Sequence, residues 1–250
     1  MKVCPTLAAA ALLAAACSSS RESKGARDDA PIEPTAVAAD WAESARERMV
    51  TEQIEARDVR DARVLRAMGT VPRHEFIPGD ARDHAYEDHP VPIGYDQTIS
   101  QPYIVAKLVE LAAVDEHSKV LEIGTGSGYT AAVLSRVAGD VYTIEIVEEL
   151  ANRARQTLAE LGYSNVRVIT GDGYAGWPEA APYDAVIVTA APAKIPEPLK
   201  QQLAIGGRLV IPVGDQYQEL RVLTRTETGF DERTEFPVRF VPMTGKAQDD

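Results

Sequence analysis

Beyond residue 17 the sequence contains no cysteine; its two cysteines, Cys4 and Cys17, both stand near the start. Everything downstream can therefore form no disulfide, bind no metal through thiolate and use no cysteine nucleophile. Basic charge is also scarce, with 26 Lys and Arg against 38 Asp and Glu and a net charge of −12. Nucleic-acid binders draw much of their affinity from neutralising phosphates, so this balance speaks against that class. No apolar run reaches the roughly 20 residues that a membrane-spanning helix needs. The four histidines, His74, His84, His89 and His117, are scattered without metal-ligand spacing, and no metal is expected. A G-x-S-x-G turn, which would carry a serine nucleophile of the hydrolase type, is missing as well.

What is present begins with a leader. Lys2 supplies a positive start, and residues 7–16 are continuously apolar, too short to span a bilayer but suited to the core of an export signal. Cys17 follows three alanines and precedes three serines. This resembles a bacterial lipoprotein signal in which Cys17 becomes the lipidated first residue, although Ala14 stands where such signals usually have Leu. The expectation is a signal peptide over 1–16, export, and a lipid anchor on the periplasmic side of a bacterial membrane. The alternatives are plain secretion or a downstream start, for example at Met49, with a cytoplasmic protein. Residues 17–39 are rich in Ser, Ala, Asp and Pro, bury too little to offset ordering, and read as a flexible tether.

The domain is expected over 40–250. Its first part, 40–102, carries an N-terminal helical extension and loops. Asp40 reads as an N-cap, Trp41, Ala45, Met49 and Ile54 as one helical face, and 61–68 as a second short helix. Residues 71–78 are bracketed by prolines, and 87–103 are loop-like. From 103 onward, helix and strand signals alternate: helices over 103–113, 129–138, 147–161 and 196–203, and strands over 119–123, 141–146, 166–170, 183–190 and 207–213. Two more strands, 219–226 and 235–243, follow without an intervening helix. Nearly continuous apolar strands alternating with helices predict an α/β fold with a mainly parallel central sheet, helices on both faces and a terminal antiparallel hairpin.

The strand at 119–123 delivers Gly124-Thr125-Gly126-Ser127-Gly128 into a helix start. Glycines at this spacing let the backbone turn sharply and approach a ligand. A dinucleotide site would want its third Gly or Ala one position later, where Tyr129 stands, so the pattern fits a nucleoside without a pyrophosphate. Glu145, about 20 residues past the first glycine, can accept from ribose hydroxyls, and Asp172 in Gly171-Asp172-Gly173 from an adenine amino group. With Glu122, these acids project toward one sheet edge if the strands lie as read. A second stretch, Gln97-Thr98-Ile99-Ser100-Gln101-Pro102, precedes a helix. Ser100 there fits an N-cap as well as an active-site residue.

Taken together, V-P-R-H at 71–74, P-I-G at 92–94, T-I-S-Q-P-Y at 98–103, L-E-I-G-T-G-S-G-Y at 121–129, I-E at 144–145, G-D-G at 171–173, V-T-A-A-P at 188–192 and G-G-R-L-V-I-P-V-G at 206–214 resemble the bacterial protein-L-isoaspartate O-methyltransferases over about residues 44–244. The resemblance implies the class I methyltransferase fold and S-adenosyl-L-methionine as cofactor. The reaction it implies is methylation of the free α-carboxylate of isoaspartyl residues in proteins and peptides, the ester then closing to a succinimide that hydrolyses partly to aspartate. It implies Ser100 as the active-site residue. Thr98, Ile99, Glu122, Gly124, Thr125, Gly126, Ser127, Gly128, Glu145, Asp172 and Gly173 are implied at the cofactor, and Pro72, Arg73, His74 and the tail around Val241 at the peptide groove. A monomer is expected, meeting the membrane only through its N-terminal anchor. One departure is Asp96, where the family usually has Gly; it adds a negative charge and a Cβ beside the site, which works against an anionic substrate. Two rivals remain: a methyltransferase of small molecules, which would share the cofactor site, and a non-catalytic surface lipoprotein that retains the fold. Amino-methyltransferases of nucleic acid usually carry an Asn/Asp-Pro-Pro-aromatic run, which is absent.

Overall fold

The computed structural model of the chain describes residues 36–249. The signal peptide over 1–16, Cys17 and the first part of the tether lie outside the described residues. The first helix, α1 (Ala36–Arg48), starts four residues before Asp40, so Asp40 is inside it and is not its N-cap. Three alanines at 36, 38 and 39, the strongest helix formers, extend the helix into what reads as tether. A π-helical turn, Met49–Glu55, continues α1. Ala45, Met49 and Ile54 are buried as their spacing predicts. Trp41 is not: it is 45% exposed, with its ring edge-on to His74 and Tyr86.

In α2 (Ala62–Thr70), Asp61 is a working N-cap whose carboxylate accepts from the Arg63 N–H, and Val64, Ala67 and Met68 are buried. Two 3-10 turns follow, Arg73–Phe76 and Gly79–His84. The stretch read as loop contains a small antiparallel hairpin, β1 (Val91–Gly94) with β2 (Gln97–Ile99). Its two-residue turn is Tyr95-Asp96, both with positive φ (55° and 56°), as a type I′ hairpin turn requires. Asp tolerates that conformation better than most residues.

The core is a seven-stranded sheet ordered β5-β4-β3-β6-β7-β8-β9. Its strands are β3 (Lys119–Ile123), β4 (Asp140–Glu145), β5 (Val166–Thr170), β6 (Tyr183–Val188), β7 (Leu203–Val213), β8 (Gln218–Arg225) and β9 (Phe230–Val238). β3 to β7 are parallel, and β8 and β9 complete an antiparallel meander. The strand order reverses between β3 and β6, and ligands in open α/β sheets bind at that switch point, beyond the carboxyl ends of the strands. Val120, Ala185 and Val210 face one apolar core together with α3 (Pro102–Ala112), α4 (Tyr129–Leu134), α5 (Glu148–Glu160) and the N-terminal helices. Leu121, Val186 and Leu209 face a second core closed by Leu199 of α6 (Glu197–Gln201). Helices thus cover both faces, unevenly.

The last strand differs from the expected 235–243. It runs over Phe230–Val238, mostly exposed and charged, as befits a sheet edge that must not recruit another chain. Residues 239–243 leave it. Phe240 donates its N–H to Gln218 Oε1 (2.6 Å), Ala191 N–H donates to the Val241 carbonyl and Met243 N–H to the Ala191 carbonyl (2.8 Å each). The tail therefore crosses the carboxyl end of β6 toward the loop after β5, where Lys246 N–H reaches Asp172 Oδ2 (2.9 Å).

Candidate active site

All three glycines of the turn after β3 have positive φ: 94° at Gly124, 54° at Gly126 and 91° at Gly128. A Cβ at Gly124 would also collide with the Thr189 hydroxyl. The turn is tied to the next strand by Glu145, whose Oε2 accepts from Gly126 N–H (2.7 Å) and Oε1 from Val147 N–H (2.9 Å). Asp172 accepts from Tyr174 N–H (2.9 Å) through Oδ1, which begins a 3-10 turn and holds its carboxylate at the end of β5.

Two cavities meet at these strand ends. The smaller, about 150 Å³, is lined by Thr98, Ile99, Gly124 to Ser127, Glu145, Asp172 and Gly173, together with Ile146, Thr189 and the tail residues 241–244. The larger, about 1140 Å³, is a groove between β9 with its tail and the segment 98–104. Arg57, Asp58 and Tyr103 stand on one side, Phe236 and Arg239 on the other. Thr98, Ser100, Thr189, Val241 and Pro242 line both. The groove holds two cations against one carboxylate, and that carboxylate, Asp58, is occupied by the Tyr103 hydroxyl (2.6 Å) and Lys107 Nζ (3.0 Å). These bonds hold the Asp58 carboxyl below its ordinary range. Arg57 is in turn paired with Asp88 (3.4 Å), so Arg239 is the groove's cation that makes no ion pair among the described residues.

Ser100 is not a helix cap: Gln101 is the N-cap of α3 and makes no side-chain cap bond, and the Ser100 hydroxyl makes no hydrogen bond among the described residues. Its backbone is fixed from below. Arg73, fully buried, donates from Nη2 to the Ser100 carbonyl (2.8 Å) and from Nε to the Ala85 carbonyl (2.7 Å), with its guanidinium over the Tyr129 ring. Burial lowers its pKa to about 10, which leaves it charged at neutral pH.

Several expected residues stand elsewhere. Pro72, Arg73 and His74 line neither cavity. Arg73 is drawn into the core by two carbonyls, and His74 sits against Trp41 with Nδ1 2.7 Å from the Tyr86 hydroxyl. Gly128 turns away from the cavity toward α5, where a Cβ would press on Leu158 and Ala154. Glu122 is fully buried one residue short of the strand end, its Oε2 accepting from the Thr143 hydroxyl (2.6 Å) and its Oε1 without a partner. Burial, reinforced by the nearby Glu145 charge against the Thr143 bond, pushes its pKa up to about 8. Asp96, exposed at the hairpin turn, lines neither cavity, although its neighbour Gln97 lines the smaller one.

Sequence reasoning missed Thr189, whose hydroxyl donates to the Gly124 carbonyl (2.7 Å) where the two cavities meet, and the tail residues Met243 and Thr244. A polar residue ending an otherwise apolar strand at the switch point was the available signal at Thr189.

Residues 44–248 match the family model described as protein-L-isoaspartate(D-aspartate) O-methyltransferase. A protein-L-isoaspartate O-methyltransferase of Gloeobacter violaceus is 59% identical over 78% of this chain and 97% of its own length. One of a Synechococcus strain is 54% identical over 90% of this chain and 95% of its own. Among solved structures, a protein-L-isoaspartate O-methyltransferase superposes with a TM-score of 0.74 at 30% identity, covering 81% of this chain and 67% of that one. A putative Plasmodium falciparum enzyme of the same name, in complex with S-adenosyl-L-homocysteine, gives 0.67 at 25% identity, covering 81% of this chain and 98% of that one. With its glycine turn, its two acids and its serine at the meeting of two cavities, the chain belongs to the protein-L-isoaspartate(D-aspartate) O-methyltransferase family.

Proposed function

We propose that the protein transfers a methyl group from S-adenosyl-L-methionine to the free α-carboxylate of L-isoaspartyl residues in damaged proteins and peptides, as the first step of their repair. The residues present fit that cofactor. The small cavity is floored by glycine backbone, packed so closely that a Cβ at Gly124 would collide with Thr189, and its walls carry two carboxylates suited to ribose hydroxyls and an adenine amino group. Glu145 and Asp172, with Thr98, Ile99, Gly124, Thr125, Gly126, Ser127 and Gly173, would hold it. Bound there, it supplies an electrophilic methyl group on a sulfonium.

The observation that carries the reading is the position of Ser100, on the wall shared by the two cavities, with an unengaged hydroxyl and a backbone pinned by Arg73. An isoaspartyl α-carboxyl ionises near ~3.5, so at neutral pH the nucleophile needs no general base. No histidine lines either cavity, in keeping with that. Ser100 donates a hydrogen bond to one carboxylate oxygen and so turns the other toward the methyl; orientation of this kind supplies several kcal/mol of barrier reduction. Arg239 draws the anionic peptide into the groove, and Val241 and Pro242 form its floor beside Ser100.

The decisive comparison is methyl transfer to an isoaspartyl peptide and to its aspartyl twin. Esterification of the first alone is expected; equal or absent transfer to both would overturn the reading. For the leader we propose export and lipidation at Cys17, on the strength of the basic start, the apolar run and the small residues before the cysteine. An intact mass of the native N-terminus showing diacylglycerol on Cys17 is expected, and an unprocessed Met1 would refute it.

A further inference from the structure

Outside both cavities, three side chains converge in the segment that leads into β1. His84 ends a 3-10 turn, the chain passes through the buried Ala85 and Tyr86, and Glu87 and His89 come back to the same side. His84 Nδ1 lies 2.9 Å from Glu87 Oε1, and His89 Nε2 lies 2.7 Å from Glu87 Oε2. One ligand atom from each of the three falls within 4.8 Å of the others, and all three residues are exposed. The second ring nitrogen of His89, Nδ1, faces the Pro90 carbonyl at 2.8 Å.

Donor and acceptor roles give this arrangement its meaning. An ionised carboxylate and a backbone carbonyl only accept, and a neutral imidazole carries a single N–H. His89 turns both nitrogens toward acceptors, so a neutral ring leaves one lone pair facing another. A second proton relieves that, and so does a metal ion on Nε2. The Pro90 carbonyl holds the N–H on Nδ1, the outer contact that commonly orients a ligating imidazole, and leaves Nε2 for the ion.

We infer that His84, Glu87 and His89 form a binding site for a divalent transition-metal ion of the zinc type. Two imidazoles and a carboxylate, with water in the fourth position, are an established tetrahedral zinc donor set, whereas calcium and magnesium seek mainly oxygen. Tetrahedral ligands about 2.1 Å from zinc stand about 3.4 Å apart. The two close N–O pairs therefore open slightly and the widest separation closes, by rotation of exposed side chains. The site also abuts the substrate groove. Asp88, between two of the ligands, accepts from Gln101 Nε2 through its carbonyl (3.1 Å) and pairs with Arg57 (3.4 Å), and Pro90 lines the groove.

The test is zinc titration of the untagged full chain in a non-chelating buffer, by calorimetry and thermal melting, for the wild type, Glu87→Gln and the double variant His84→Ala/His89→Ala. One zinc per chain is expected in the wild type, with a rise in melting temperature on zinc addition. Glu87→Gln should bind at least tenfold more weakly. The double variant should lose both the binding and the zinc-dependent rise while melting like the wild type without zinc, because its side chains are exposed. A wild type that takes up no zinc, or a double variant that binds it with wild-type affinity, would overturn the inference.

Discussion

Replacing Glu122 with Gln should change how stability depends on pH. Glu122 is completely buried, one oxygen accepting from Thr143 and the other unpartnered. Burial raises its pKa from the ordinary 4.5 to about 8. A carboxyl raised in the folded state contributes most when both states are protonated, below pH 4.5. That contribution shrinks as pH climbs from 4.5 to 8, because the unfolded chain ionises first, and it is lost above 8. Each pH unit in that window removes about 1.4 kcal/mol, so the interval from pH 5 to 7 should take about 3 kcal/mol from the wild type through this one group. Gln has the same shape and does not titrate. The assay is urea denaturation at several pH values, with free energies from midpoint and slope. The wild type should lose about 3 kcal/mol more than Glu122→Gln between pH 5 and 7. Parallel profiles would refute the buried, neutral carboxyl. Because Glu122 lines neither cavity, affinity for S-adenosylmethionine should stay within about twofold, and a large loss would instead mean that Glu122 reaches the cofactor.

Arg73→Lys keeps the charge but loses the planar fork that bonds the Ala85 and Ser100 carbonyls from two separate nitrogens, so one carbonyl should lose its partner. About 1–3 kcal/mol of stability should go with the abandoned carbonyl, and kcat should fall at least tenfold while cofactor affinity holds, as read by steady-state kinetics and calorimetry. An unchanged kcat in a destabilised protein would reduce Arg73 to a structural part. Asp96→Gly relieves a positive φ at an exposed turn, and denaturation should show a gain of up to about 1 kcal/mol with the KM for peptide unchanged. A tenfold change in that KM would restore Asp96 to the substrate site.

Much of this architecture can be read directly from the residues. The strand at 119–123 lies where its apolar run puts it, since a strand buried on both faces leaves a continuous hydrophobic signal, and 166–170 is legible from Val166, Val168 and Ile169 although, at the edge of the sheet, it buries none of its residues fully. The glycine turn is legible because three positive φ values in five residues admit little else. The 91–99 hairpin is not: its strands are short, one contains Pro92, and Tyr-Asp is an uncommon turn pair. The edge strand begins at Phe230 rather than 235 because an exposed, charged edge has no apolar alternation to reveal it. Arg73 lies in the core because tertiary contacts to two distant carbonyls outweigh what its residue type suggests. His84 and His89 look scattered along the chain, and only the bend through Ala85 and Tyr86 turns them onto one carboxylate.

The most direct test of the central claim, that the Ser100 hydroxyl aims the carboxylate from the wall shared by both cavities, is the kinetic profile of Ser100→Ala with an isoaspartyl peptide. Loss of one hydrogen bond to a charged group should cost about 1.5–3 kcal/mol, roughly a ten- to hundredfold fall in kcat, with the Kd for S-adenosylmethionine within about twofold of wild type. An unchanged kcat, or an equal loss of turnover and cofactor affinity, would contradict it.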